Sequence, residues 1–78
     1  MTFKPNRLQQ IRISRNHSTR KAGRKAGLSQ NTIINIEQGK SSPNLRTLSK
    51  LSIYYGLPIH ELIKVVEDIK NDQKMKVG

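Results

Sequence analysis

An all-α fold is what this sequence predicts, and three features predict it. No stretch alternates apolar and polar residues over a useful length, which leaves little for strands. Ser and Asn recur where helices would start and Gly where they would stop. Apolar residues then fall at helical spacing between those signals, which gives a compact five-helix bundle.

Asn6 caps a first helix with Leu8 and Ile11 as its apolar positions, running to about Arg15, and Asn16 supplies a left-handed stop. Ser18 caps a second helix that ends at Gly27. A third is capped by Ser29 and ends near Gly39, and the loop Lys40-Ser41-Ser42-Pro43 follows. The fourth is capped by Asn44, carries Leu45, Leu48, Leu51, Ser52 and Tyr55 at core spacing, and is stopped by Gly56. Pro58 opens a fifth, with Leu62, Val66 and Ile69 on one stripe and Ile63 on an adjoining one. One domain over residues 1–70 and a polar tail over 71–78, disordered by default, account for the chain.

At 78 residues the chain buries only about 60% of its unfolded surface, too little to enclose a large substrate cavity, so a self-contained enzyme is not expected. Fifteen Lys and Arg stand against five Asp and Glu, and this balance implies a polyanionic partner. The excess is uneven. Up to His60 the only acid is Glu37, whereas beyond it Lys64, Lys70, Lys74 and Lys76 are offset by Glu61, Glu67, Asp68 and Asp72. With no cysteine, and His17 far from His60, neither a metal nor a cofactor is implied. No secretory signal and no bilayer-spanning apolar run is present, so a cytoplasmic location without membrane is expected.

The second helix repeats Arg20-Lys21-Ala22-Gly23 as Arg24-Lys25-Ala26-Gly27. A period of four gathers the bases on one side and turns Ala22 and Ala26 inward. Membrane binding would need large apolar groups opposite the charges, and only alanines and glycines are there. Arg20 and Lys21 also set positive charge against the positive end of the helix dipole, an arrangement that costs about 0.3–1 kcal/mol per charge. A phosphate at that end reverses the sign, accepting hydrogen bonds from free backbone N–H groups and from Ser18 and Thr19. The third helix shows amides to solvent, has no early acid and hands over to Lys40, a design suited to a groove walled by phosphates.

The helix opening at Ser18, the turn at Gly27-Leu28 and the run Ser29-Gln30-Asn31-Thr32-Ile33-Ile34-Asn35-Ile36-Glu37-Gln38-Gly39-Lys40 together resemble the helix-turn-helix domain of phage repressor, Cro and XRE-type regulators. The likeness covers roughly residues 6–63 and includes Ser42-Pro43-Asn44-Leu45 and Tyr55-Gly56-Leu57-Pro58. It implies a lambda-repressor-like DNA-binding domain whose third helix enters the major groove of double-stranded DNA. Gln30 and Asn31 match the positions that face bases, Asn35 lies one turn further along, and Ile34 is placed to touch a thymine methyl. Ser18, Thr19, Arg20, Gln38, Lys40, Ser41, Ser42 and Arg46 fall to phosphates. Glu37 pairs with Arg12 in a structural role by the same match, and no second carboxylate or His partner supports catalysis there.

The sequence also departs from that family's pattern. His17, Ala22, Gly23 and Ala26 replace larger or more helix-favouring residues, so a thin core is expected, with His17 at its edge; Gly23 costs about 1 kcal/mol relative to Ala but permits a close helix approach. Thr19 replaces a frequent Gln, which shortens the clamp at that helix start. The function implied is a transcriptional regulator, a repressor of a phage, mobile element or small bacterial system that occupies operator DNA and is nucleoid-associated when bound. The alternatives are an antitoxin-type regulator that also sequesters a protein toxin, and an antirepressor that binds protein only. Relatives of this type bind as two-fold dimers, and a homodimer through Ile53, Leu57, Pro58, Ile59, Ile63 and Val66 is expected, these offering more apolar surface than one small core needs. With Phe3, Tyr54 and Tyr55 as the aromatics, no stacking platform for RNA is evident.

Overall fold

A computed structural model describes residues 4–75 as five helices in chain order: α1 (Arg7–Ser14), α2 (Thr19–Ala26), α3 (Gln30–Glu37), α4 (Leu45–Tyr55) and α5 (Ile59–Met75). Phe3 and Lys76, named above, and the last residues of the expected tail, 76–78, lie outside the described residues.

The caps are set by local side-chain chemistry. Asn6 Oδ1 accepts from Gln9 N at 3.0 Å while Gln9 Oε1 accepts from Asn6 N at 2.9 Å, a reciprocal capping box that satisfies two N–H groups at once. Ser18, Ser29 and Asn44 each accept from the backbone N–H three residues on, at 3.1, 3.1 and 2.9 Å. The chain leaves α1 through Asn16, a non-glycine residue at φ 58°, and leaves α2 through Gly27 at φ 73°. α5 runs past Lys70 to Met75, so the described part of the polar terminal segment is helical.

α2 packs on α3 and on α4, α4 packs on α1 and α5, and α3 also meets α5. Between them lie Leu8, Ala22, Ile33, Ile36, Leu51, Tyr54, Tyr55, Leu57, Leu62, Val65, Val66 and Ile69. Leu8, Ile33, Ile36, Leu51 and Leu62 are fully buried, each worth about 1.5–3 kcal/mol of apolar transfer.

α4 corrects the expected core stripe. Leu45 is 69% exposed, whereas Tyr54, not expected inside, is buried. Each residue turns the helix by about 100°, so the step from Leu51 back to Leu45 swings the side chain about 120° away from the core. Tyr54 turns the other way, toward α1, where Arg15 and His17 meet it. Two residues expected at a dimer surface, Leu57 and Val66, belong to the monomer core at 8% and 4% exposure, joined there by Val65. Ile53 and Ile63 stay exposed, at 83% and 41%.

Candidate nucleic-acid interface

The short connection between α2 and α3 fixes the mutual placement of these two helices. Leu28 N donates to Gly23 O at 2.8 Å, closing α2 as the chain turns through Gly27. Ile33 and Ile36 anchor α3 in the core, and the register that buries them turns Gln30, Asn31 and Asn35 to solvent, with Ile34 half-buried between the two faces.

Gln30 is tied to the start of α2: its Nε2 donates to Thr19 Oγ1 at 3.0 Å. The Thr19 oxygen thereby accepts, and its own O–H is left to donate outward. Ser18 Oγ is occupied as an acceptor from Lys21 N at 3.1 Å. Arg20 projects into solvent beside them. This pair of linked side chains was not foreseen, since eleven residues separate them and no local pattern signals the bond.

At the other end of α3, Gln38 is exposed and Gly39 adopts φ 72°, which sends the chain sharply round to Lys40. Lys40 N donates to Asn35 O at 2.9 Å, so Lys40 is held next to the exposed amide face with its ammonium group in solvent. Ser41 is half-buried and Ser42 exposed; Ser42 Oγ accepts from Lys70 Nζ of α5. Arg46 is exposed in the first turn of α4. The structure therefore joins Gln30 to Thr19 and Lys40 to Asn35 directly, whereas Arg46 and Ser42 make no hydrogen bond to α2 or α3 among the described residues.

Behind this face sits a buried carboxylate. Glu37 is 2% exposed, and Arg12 Nε bridges both its oxygens, at 2.9 and 3.1 Å. Tyr55 O–H donates to Glu37 Oε2 at 2.8 Å, and Asn6 Nδ2 donates to the Glu37 carbonyl at 2.7 Å. Arg12 Nη1 also donates to His17 O at 2.9 Å. The end of α3 is thus fastened to α1 and α4 by charge-assisted bonds, the stronger kind. Burial, with the Glu37 carboxylate alongside, drives the Tyr55 hydroxyl far above its ordinary value, so it remains a donor. Tyr55 and Asn6 lie 18 and 31 residues from Glu37, beyond any sequence signal.

The electrostatic setting is one-sided. No acid precedes Glu37, and that carboxylate is screened by its partners, so no acidic residue on the surface of α2 or α3 opposes an approaching anion. On α1, Arg7 is paired with Glu61 of α5 at 3.0 Å. Among the described residues no group of His, Asp and Glu could hold a metal ion, and no helix is long and apolar enough to cross a membrane.

Comparison with known proteins gives this arrangement a context. The helix-turn-helix family matches residues 8–62. The chain is 32% identical over 71 residues to the cryptic phage CTXphi transcriptional repressor RstR of Vibrio cholerae, covering 91% of this chain and 63% of that one. It is 41% identical over 61 residues to the HTH-type transcriptional regulator PuuR of Escherichia coli, 78% of this chain and 33% of that one. An uncharacterized HTH-type transcriptional regulator of Methanocaldococcus jannaschii is 32% identical over 63 residues, 81% of this chain and 96% of that one.

Proposed function

The chain belongs to the helix-turn-helix family of phage-repressor and XRE type, and on that premise we propose that it is a sequence-specific transcriptional regulator, a repressor that occupies operator DNA with α3 in the major groove. The observation that carries this reading is the face of α3. Gln30, Asn31 and Asn35 are exposed together, no acid stands beside them, and Lys40 closes the row. An exposed amide can pair with the two major-groove atoms of adenine, and each such pair is worth about 1–3 kcal/mol of discrimination.

In this reading Gln30 and Asn31 read base edges, and Asn35 and the outer side of Ile34 extend the contact. Ser18, Thr19, Arg20, Gln38, Lys40, Ser41, Ser42 and Arg46 hold phosphates. The Gln30–Thr19 bond then couples the two tasks, because the side chain that fixes Gln30 also offers its hydroxyl hydrogen to the backbone. The buried Arg12–Glu37 pair keeps α3 in place without touching DNA.

A single domain reads few base pairs, so the reading includes a homodimer on half-sites about 34 Å apart. Ile53, Ile63, Pro58 and Ile59 are the apolar residues left with exposure for its interface. The antitoxin alternative, which needs apolar surface on the last helix, has only Ile59 and Ile63 left with exposure there, since Leu62, Val65, Val66 and Ile69 are taken up in the core. Selection of binding sites from random duplex DNA tests the proposal: a two-fold symmetric enriched sequence supports it, and no enrichment over the starting pool contradicts it.

A further inference from the structure

α5 presents two differently occupied sides. On one, Lys64 and Asp68 share a shallow hollow with Arg7 and His60. Steps of three, four and seven residues from Ile63 gather Val66, Glu67 and Lys70 on the other, which borders the loop between α3 and α4. Pro43, Leu48, Ile63 and Val66 line the groove there, so the alkyl stem of half-buried Lys70 lies on apolar surface while its ammonium group reaches the loop. Lys70 Nζ donates to Ser42 Oγ, across 28 residues of sequence.

Charge balance alone would set Lys70 against the acids of α5. The structure does not: among the described residues the ion pairs are Arg7–Glu61 and Arg12–Glu37. Glu67, exposed on the same groove, precedes Lys70 by one helical turn, and the two are not bridged. Of the N–H donors of the ammonium group Ser42 engages one, and the Ser42 oxygen, having accepted, leaves its own O–H to donate. Both members of the pair thus have hydrogens left for an anion. Ser42 follows Lys40, whose backbone is fixed to Asn35 of α3, and two residues of chain span at most about 7 Å. The pair therefore stands beside the end of α3 that Lys40 closes.

We propose that Lys70 is a phosphate-binding residue of the DNA complex, seated by Ser42, so that α5 joins the grip on the DNA backbone at the end of α3. The proposal rests on the reading of α3 as the DNA-binding helix and of the Ser41-Ser42 loop as phosphate-binding. It changes the character of that loop's contact. A serine hydroxyl is neutral and releases no counterion from DNA, whereas an ammonium group beside it does. Glu67, on the same groove, opposes the same phosphate.

Salt titration of the full chain on the selected duplex and on a scrambled one tests this. Lys70→Gln should flatten the plot of log affinity against log salt by about 0.9 on both, so that a fourfold rise in salt costs it about 3.5-fold less affinity than it costs wild type. Lys70→Arg should keep the wild-type slope. Lys64→Gln, the same charge change on the other side of α5, should leave the slope unaltered. Glu67→Gln should raise affinity for both duplexes at low salt by about two- to fivefold, the usual size of an exposed charge interaction. An unaltered slope in Lys70→Gln overturns the proposal, whatever the melting temperature of that variant, because the tie between α5 and the loop is then structural only. Equal flattening by Lys64→Gln overturns it too, since the slope then follows net charge alone, and so does a Glu67→Gln variant that binds no tighter. If the reading of α3 is what fails, Lys40→Ala also parallels wild type; if this proposal fails alone, Lys40→Ala still flattens the plot and Lys70→Gln does not.

Discussion

A Cβ placed on Gly23 would stand 2.8 Å from the carbonyl oxygen of Leu28, closer than a methyl group can approach backbone. The nearest alternatives for relief are also backbone, Gln30 N and Ser29 C at 3.1 Å, so nothing flexible can give way. Gly23 is what allows α2 to close on the turn that launches α3. Gly23→Ala regains about 1 kcal/mol of helix propensity but incurs an overpacking cost of about 1–3 kcal/mol. The net effect is a loss, and a lowered melting temperature in thermal denaturation checks it; a stabilised variant would mean that the turn yields.

How much of this was legible in the sequence divides along local and non-local lines. Asn6, Ser18, Ser29 and Asn44 cap their helices because an Asn or Ser side chain reaches a backbone N–H three residues away, whatever the rest of the fold does. The solvent side of α3 was legible for the same reason, since burying Ile33 and Ile36 dictates it. The core face of α4 was not. Whether Leu45 or Tyr54 turns inward depends on where α1 sits, and periodicity alone carries no such information. Leu57, Val65 and Val66 pose the same problem on the other side of the core. The bonds that organise the candidate site, Gln30 to Thr19 and Tyr55 to Glu37, join residues from different helices and became visible only with the fold.

Arg12→Ala should destabilise the fold more than it alters DNA selectivity. Glu37 would keep its burial and lose the guanidinium that bridges both its oxygens, and breaking one side of a buried pair costs about 3–5 kcal/mol. At about 4–8 °C of melting temperature per kcal/mol for a domain of this size, the shift is large. A variant that melts with wild type would show that Tyr55 and Asn6 suffice to hold the end of α3.

Stability should fall as the solution is acidified below about pH 6.5. Desolvation, then the charges of Lys21, Lys25 and Arg15, hold the His17 pKa below its ordinary value, so the unfolded chain takes up the proton first. The contribution is fully present above pH 6.5 and is lost as pH drops through the folded-state pKa. Melting curves at pH 7.5 and pH 5.5 read it, and His17→Gln should reduce the difference between them. An unchanged difference in that variant would assign the slope to other groups.

Lys40→Ala and Arg20→Ala should each weaken binding to specific and random duplexes alike. Each lost phosphate contact should flatten the plot of log affinity against log salt by about 0.9, through counterion release. A salt titration of either variant that parallels wild type would place that residue off the interface.

The central claim is that α3 reads bases, and the ratio of specific to nonspecific affinity measures it most directly. Binding of wild type, Gln30→Ala and Asn31→Ala to the selected duplex and to a scrambled one, at a single fixed salt concentration, gives that ratio for each. The account predicts a loss of about 1–3 kcal/mol on the selected duplex for each variant, with affinity for the scrambled duplex nearly unchanged. Equal losses on both duplexes would contradict it and remove Gln30 and Asn31 from the base-reading role.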